Sequence, residues 1–253
     1  MDELERRIYS KKVDLRAQNI KEFYDKRAGE YINGGRKTRY TTVLLGDNKP
    51  EYAEAWNEFE KNSILPYLNT GREHKILDIG CGVGRWAENL VTTCGEYIGT
   101  DFSAEMIRAA SEYFKNYGNA YFVNCSFQDL FSNDRIIDCK FDTIIIAGVS
   151  MYINDSELER CFEQLNDMLN DGAIVYIEES VGVKERLTLN HIWSENLDDH
   201  YDAIYRTRDE YLELMKPLVA ENKIIQENYF NELDKKEMSE TSHWYALIRK
   251  GDF

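Results

Sequence analysis

The sequence predicts an α/β fold, a mostly parallel sheet with helices on both faces behind a helical N-terminal segment. Three observations predict it. From Lys75 onward, short apolar runs alternate with amphipathic helical patterns, and βα alternation produces parallel strands. The run Phe141–Ala147 is nearly all apolar, as a strand covered on both faces must be. The first run also leads straight into a glycine-rich turn, Gly80-Cys81-Gly82-Val83-Gly84.

The elements follow in order. Tyr52, Ala55, Trp56 and Phe59 recur at i, i+3, i+4 and i+7, the apolar stripe of a helix. Between Gly29 and Pro50 the chain is polar, turn-rich and locally basic, with Arg36, Lys37, Arg39 and Tyr40. A loop of that kind is usually functional or mobile. Strands are expected at 75–79, 97–101, 120–125, 141–147 and 172–178, with helices at 85–93, 103–115 and 157–169. Ser156 and Glu159 stand at capping-box spacing for the last helix. A polar, aromatic insert (181–207), a helix at 208–214 and two late strands at 223–229 and 243–250 complete the chain. Two terminal strands with no helix between them pair as an antiparallel hairpin.

At 253 residues the chain suits one generous domain, or a core with an appendage. The division expected is a helical cap or lid over 1–70 and a core over 71–253. Hydrophobic residues are 43% and charged residues 30%, enough to bury a core. The net charge of −15 argues against nucleic acid and against an anionic membrane as partners. The start is too polar for a signal peptide, and no apolar run approaches the ~20 residues of a membrane span. Five cysteines without a C-x-x-C pair fit reduced thiols in a cytoplasm and offer no metal site.

The sharpest signal is Asp78-Ile79-Gly80-Cys81-Gly82-Val83-Gly84-Arg85. A strand entering glycines and then a helix turns backbone N–H groups toward a ligand. Asp101, 21 residues after Gly80 at the end of the next strand, is placed to accept two ribose hydroxyls. A dinucleotide site would have a third glycine where Arg85 stands, and Asp78 would repel a pyrophosphate. Acid at Asp78 and base at Arg85 instead suit an amino-acid zwitterion. S-adenosylmethionine (SAM) combines an adenosine with such a zwitterion and carries no phosphate.

In these residues, and in Asp101-Phe102-Ser103, the chain resembles the class I SAM-dependent methyltransferases, small-molecule branch. The resemblance implies a Rossmann-like seven-stranded sheet in the order 3-2-1-4-5-7-6 and SAM as methyl donor. It implies that Gly80, Cys81 and Gly82 admit the methionine part and that Asp101 holds the ribose. Phe102 would lie against the adenine, with Ser126 and Phe127 at its edge. Ala147 and Val149 would contact the methionine end and begin the acceptor pocket. Sequence signatures of base-amino, cytosine-C5 and metal-dependent catechol methylation are absent. The acceptor implied is O or N of a small metabolite. An anionic one (phosphorylated or sugar-linked) is a natural option, in bacterial surface-polysaccharide or secondary-metabolite synthesis. Peptide or protein amine methylation, and a catalytically silent SAM-binding subunit, stay as alternatives.

Ligands in open α/β sheets sit beyond the carboxyl ends of the strands. That selects Met151 and Tyr152 after the fourth strand and Glu179 after the fifth. Glu178 and Glu179 alternate across a strand, so at most one faces the pocket. The insert contributes His191, Trp193, Tyr205 and Arg206, and the N-terminal segment Tyr24, Tyr31 and Arg39. Glu179, His191 and Tyr205 are the candidate catalytic groups, while His74 and His243 read as structural.

Overall fold

The computed structural model describes residues 6–35, 38–45, 47, 49–230 and 240–251. Arg36 and Lys37 of the basic loop lie outside the described residues. The chain begins with strand β1 (Arg6–Tyr9) and helices α1 (Ala17–Ile32), α2 (Tyr40–Leu44) and α3 (Pro50–Ile64). Alternation then runs β2 (Lys75–Ile79), α4 (Ala87–Leu90), β3 (Glu96–Asp101), α5 (Ala104–Tyr113), β4 (Ala120–Asn124) and β5 (Phe141–Ala147). After α6 (Asp155–Leu165) come β6 (Leu169–Gly182), β7 (Leu187–Ser194) and β8 (Asp199–Tyr205). Helices α7 (Arg208–Leu214) and α8 (Lys216–Val219) lead to β9 (Asn222–Tyr229) and β10 (Thr241–Lys250).

Seven strands form one sheet in the order β4-β3-β2-β5-β6-β10-β9. Counted along the chain within that sheet, this is 3-2-1-4-5-7-6, the order expected. β4 through β6 are mutually parallel, and β10 runs antiparallel to both β6 and β9. The period of two explains why β5 is apolar throughout. Ile144 and Ile146 enter one core cluster and Ile145 the cluster on the opposite face, all fully buried. Each such side chain contributes about 1.5–3 kcal/mol of burial.

Two local expectations need correction, and one region gains elements. The first crossover helix, expected at 85–93, is α-helical only at Ala87–Leu90, because successive turns around Gly82 and Gly84 (φ +54° and +80°) occupy the residues before it. The capping box lies not at Ser156 but at α7, where Thr207 and Glu210 cap each other; α6 starts two residues earlier than expected, with Asn154 as its N-cap. The insert 181–207, for which the sequence reading gave no elements, is built largely of strands. Its strands β7 and β8 pair antiparallel, and β1 joins β7 to make a second, three-stranded sheet. Alternation at Leu187-Thr188-Leu189 was the visible signal; β1, four residues long and distant in sequence, gave none. No helix among the described residues is long and apolar enough to cross a membrane.

Candidate functional site

A cavity of about 1270 Å³ opens at the carboxyl ends of β2, β3, β5 and β6. Residues of α1, α2 and α3 line it from one side, and β7 and β8 from another. Pockets for one drug-sized ligand measure roughly 300–1,000 Å³, and this cavity is larger than that range.

The turn after β2 forms the floor. Gly80 has φ +70°, and a Cβ there would meet Val149 Cγ2 at 2.3 Å. Only glycine allows both the turn and this close approach of the β5 loop. Asp101, 7% exposed, accepts the Gly82 N–H on Oδ2 (3.0 Å) and the Ser103 N–H on Oδ1 (2.8 Å). A carboxylate oxygen has two acceptor positions, so each keeps one for a diol. Burial lifts the Asp101 carboxyl to about 6, against the pull of those two N–H groups. Asp78, also buried, accepts a hydrogen bond from the Tyr97 hydroxyl, and burial pushes it up to about 7. A buried acid so lifted is stabilised in its charged form by an arriving cation.

All the residues expected to hold the cofactor line this cavity: Asp78, Gly80, Cys81, Gly82, Arg85 and Asp101 at the first crossover, then Phe102, Ser126, Phe127, Ala147 and Val149. Two differ in detail. Arg85 is not an open cation, because its Nη1 is paired with the fully buried Glu60 of α3 at 2.5 Å. Ser126 donates to Asp129 Oδ2 at 2.7 Å, which brings to this edge a carboxylate the sequence reading did not assign.

Tyr24, Met151, Tyr152, Trp193 and Tyr205 also line the cavity. There the structure builds a chain of phenols. The Tyr24 hydroxyl donates to Tyr152 at 2.6 Å, Tyr152 and Tyr201 stand 2.7 Å apart, and Tyr201 is hydrogen-bonded to Tyr205. Burial raises Tyr24, Tyr152, Tyr201 and Tyr205 above the ordinary phenol value, so all four are neutral donors and acceptors near pH 7. Three segments far apart in sequence meet here, α1, the turn after β5 and β8, and Tyr201 could not be singled out beforehand.

Five candidates are elsewhere. Glu179 is fully buried and accepts the backbone N–H groups of Val149, Ser150 and Met151 (3.2, 2.6 and 3.2 Å). It fastens the loop after β5, although burial lifts its carboxyl to about 7. Arg206, 0% exposed, donates to Asp155 and to the carbonyls of Ser150 and Ile153. It is a clamp on the same loop, not a substrate contact. His191 stacks on His200 with ring centroids 4.1 Å apart and does not line the cavity. Arg39 reaches Glu88 (2.8 Å) and the Val83 carbonyl, tying α2 to the first crossover. Tyr31 packs against the N-terminal core cluster and does not line the cavity.

His243, expected to be structural, lies on the cavity wall beside Glu178. Its Nδ1 is 2.8 Å from Glu178 Oε1, and its ring lies against Trp56 with centroids 4.1 Å apart. The antiparallel return of β10 along β6 sets His243 opposite Ser180, two residues from Glu178 on the same face. The sequence could not show that pairing.

Residues 76–172 match a family model described as a methyltransferase domain. A phosphoethanolamine N-methyltransferase of Triticum aestivum is 30% identical over 122 residues, 48% of this chain and 24% of that protein. The chain thus spans about a quarter of the length of such curated relatives. Phosphoethanolamine N-methyltransferase 1 of Haemonchus contortus, solved with phosphoethanolamine and S-adenosylhomocysteine, is similar in structure: TM-score 0.66, 16% identity, 94% of this chain and 50% of that one. The N-methyltransferase NodS of Bradyrhizobium japonicum, solved with S-adenosylhomocysteine, gives 0.60 at 14% identity, over 92% of this chain and all of NodS (100%). Residues 76–172 are therefore a methyltransferase domain, on a chain with the fold of the class I S-adenosylmethionine-dependent methyltransferases.

Proposed function

We propose that this chain transfers a methyl group from SAM to O or N of a small molecule. The observation that carries this is the fixed Asp101 carboxylate above the Gly80–Gly82 turn, with a second, phenol-lined space in the same cavity. SAM supplies an electrophilic sulfonium methyl. Asp101 holds the ribose hydroxyls, Asp78 meets the ammonium, and Phe102 and Phe127 flank the adenine. Arg85, already balanced by Glu60, has only its remaining N–H groups for the methionine carboxylate. The protein's share of the work is alignment of the acceptor in line with the methyl and exclusion of water. Met151 and Tyr152 perform the alignment, held by the Glu179 and Arg206 contacts behind them. Residues 1–70 act as the lid, since α1, α2 and α3 contribute Tyr24, Val43 and Trp56 to the cavity wall.

Incubation with methyl-labelled SAM and two acceptor pools, small metabolites and basic peptides, tests the proposal. Label is expected in the small-molecule pool. Label confined to peptides contradicts the small-molecule assignment, and binding without turnover in either pool points to a SAM-binding regulatory subunit.

A further inference from the structure

We propose that Glu178 is the seat of a cationic amine on the acceptor: its Oε2 holds the ammonium and takes its proton, making nitrogen the methylated atom. The proposal rests on the chain being a methyltransferase and narrows its substrate class.

Glu178 is 5% exposed and lines the cavity. Its Oε1 is occupied by His243 Nδ1, and Oε2 has no hydrogen-bond partner among the described residues. The titratable and charged groups near it are His243 on β10, the buried acid Glu179 next to it on β6 and, farther away, Arg85 and Glu60, which neutralise each other. A buried carboxylate with one open oxygen toward a cavity calls for a cation to complete it.

The ammonium of the cofactor cannot serve here as well as at Asp78. β2 and β6 are separated by β5, so at about 4.8 Å per strand the two carboxylates lie roughly 10 Å apart across the sheet. Register widens the gap, since Asp78 is level with Ile145 and Tyr176, two residues before Glu178. A phosphate head group finds poor provision by comparison. Of the four Lys and Arg on the wall, Arg7 is paired with Glu240, Lys21 with Asp25 and Arg85 with Glu60, and the fourth is Lys49.

The chemistry balances. The ammonium gives a proton to Glu178 Oε2, and the freed nitrogen lone pair forms the N–C bond. The C–S bond breaks as it forms, leaving its electron pair on sulfur, and Glu178 later releases its proton to solvent. Burial lifts Glu178 above the ordinary carboxylate range against the pull of His243, the direction that makes a carboxylate a better proton acceptor.

The test uses the full chain saturated with S-adenosylhomocysteine and matched ligand pairs, each an amine and a carboxylate on one body. Tyramine with 4-hydroxyphenylacetate, ethanolamine with glycolate, and glucosamine with glucuronate serve, with affinities read by saturation-transfer NMR. At least one amine is expected to bind about tenfold more tightly than its twin, and E178Q to remove about tenfold of that affinity while S-adenosylhomocysteine binding and Tm hold. Should E178Q fold poorly, E178M, which also removes the charge at similar volume, is read in the same way. With labelled SAM, the bound amine is expected to become methylated, and E178Q to lower kcat. Carboxylates binding as well as amines, no amine that depends on Glu178, or an equal loss of S-adenosylhomocysteine affinity in E178Q overturns the proposal. Failure of the wild type to bind S-adenosylhomocysteine at all would instead defeat the methyltransferase assignment.

Discussion

Replacing Arg206 by alanine is expected to lower folding stability by about 3–5 kcal/mol, the usual cost of breaking a buried ion pair by removing one partner. Its guanidinium is wholly enclosed and serves Asp155, the Ser150 carbonyl and the Ile153 carbonyl together. Burial works against ionised Asp155, yet Arg186 and Arg206 hold its carboxyl well below the ordinary range. Removal strands the Ile153 carbonyl, leaves the Ser150 carbonyl with only the Ile153 N–H, and opens a void against the Tyr211 ring, 5.5 Å from the guanidinium. Those carbonyls belong to the segment that carries Met151 and Tyr152, so acceptor affinity should fall with stability. Denaturant titration of R206A beside wild type measures the loss. A change below about 1 kcal/mol, the range of an exposed ion pair, would contradict the clamp.

Replacing Asp101 by alanine is expected to weaken S-adenosylhomocysteine binding by about 1–3 kcal/mol, the cost of leaving buried hydrogen-bonding groups unmet. The carboxylate is the one group at the cradle whose two oxygens are each fixed by a backbone N–H with a position to spare. The variant also removes a buried acid already lifted to about 6. The fold is therefore expected to tolerate the change, apart from the lost hold on the Gly82 and Ser103 amides. Calorimetry on D101A with a far-UV CD check separates lost affinity from lost structure. Unchanged affinity would remove Asp101 from the ribose role.

How much of this was legible in the sequence follows from the range of the forces involved. Period-two burial and glycine punctuation are local, so β5, the Gly80 turn and Asp101 were visible in the residues themselves. The strand order came through resemblance, not periodicity. What stayed hidden depended on contacts between distant segments. An arginine in a polar insert looks like a ligand contact until β8 carries Arg206 beneath the β5 loop. Glu178 and Glu179 are equivalent in sequence, and the choice between them falls to the amides of Val149, Ser150 and Met151, which claim Glu179. That leaves Glu178 to the cavity and to His243, whose position is set by the pairing of β10 with β6. Arg85 lines the cavity, but its counter-ion comes from α3, which no local pattern connects to the glycine turn.

The central claim is that the first crossover holds a nucleoside joined to an amino-acid zwitterion, and titration calorimetry of the wild type tests it most directly. S-adenosylhomocysteine and NADH are compared at about pH 6.5, each in two buffers of different ionisation enthalpy. Burial holds free Asp78 near 7, so part of the population is protonated there. An arriving ammonium favours the carboxylate, so binding should release protons and strengthen as pH rises toward 7. The account predicts saturable S-adenosylhomocysteine binding with proton release and no saturation by NADH. Saturable NADH binding by a protein indifferent to S-adenosylhomocysteine would contradict it.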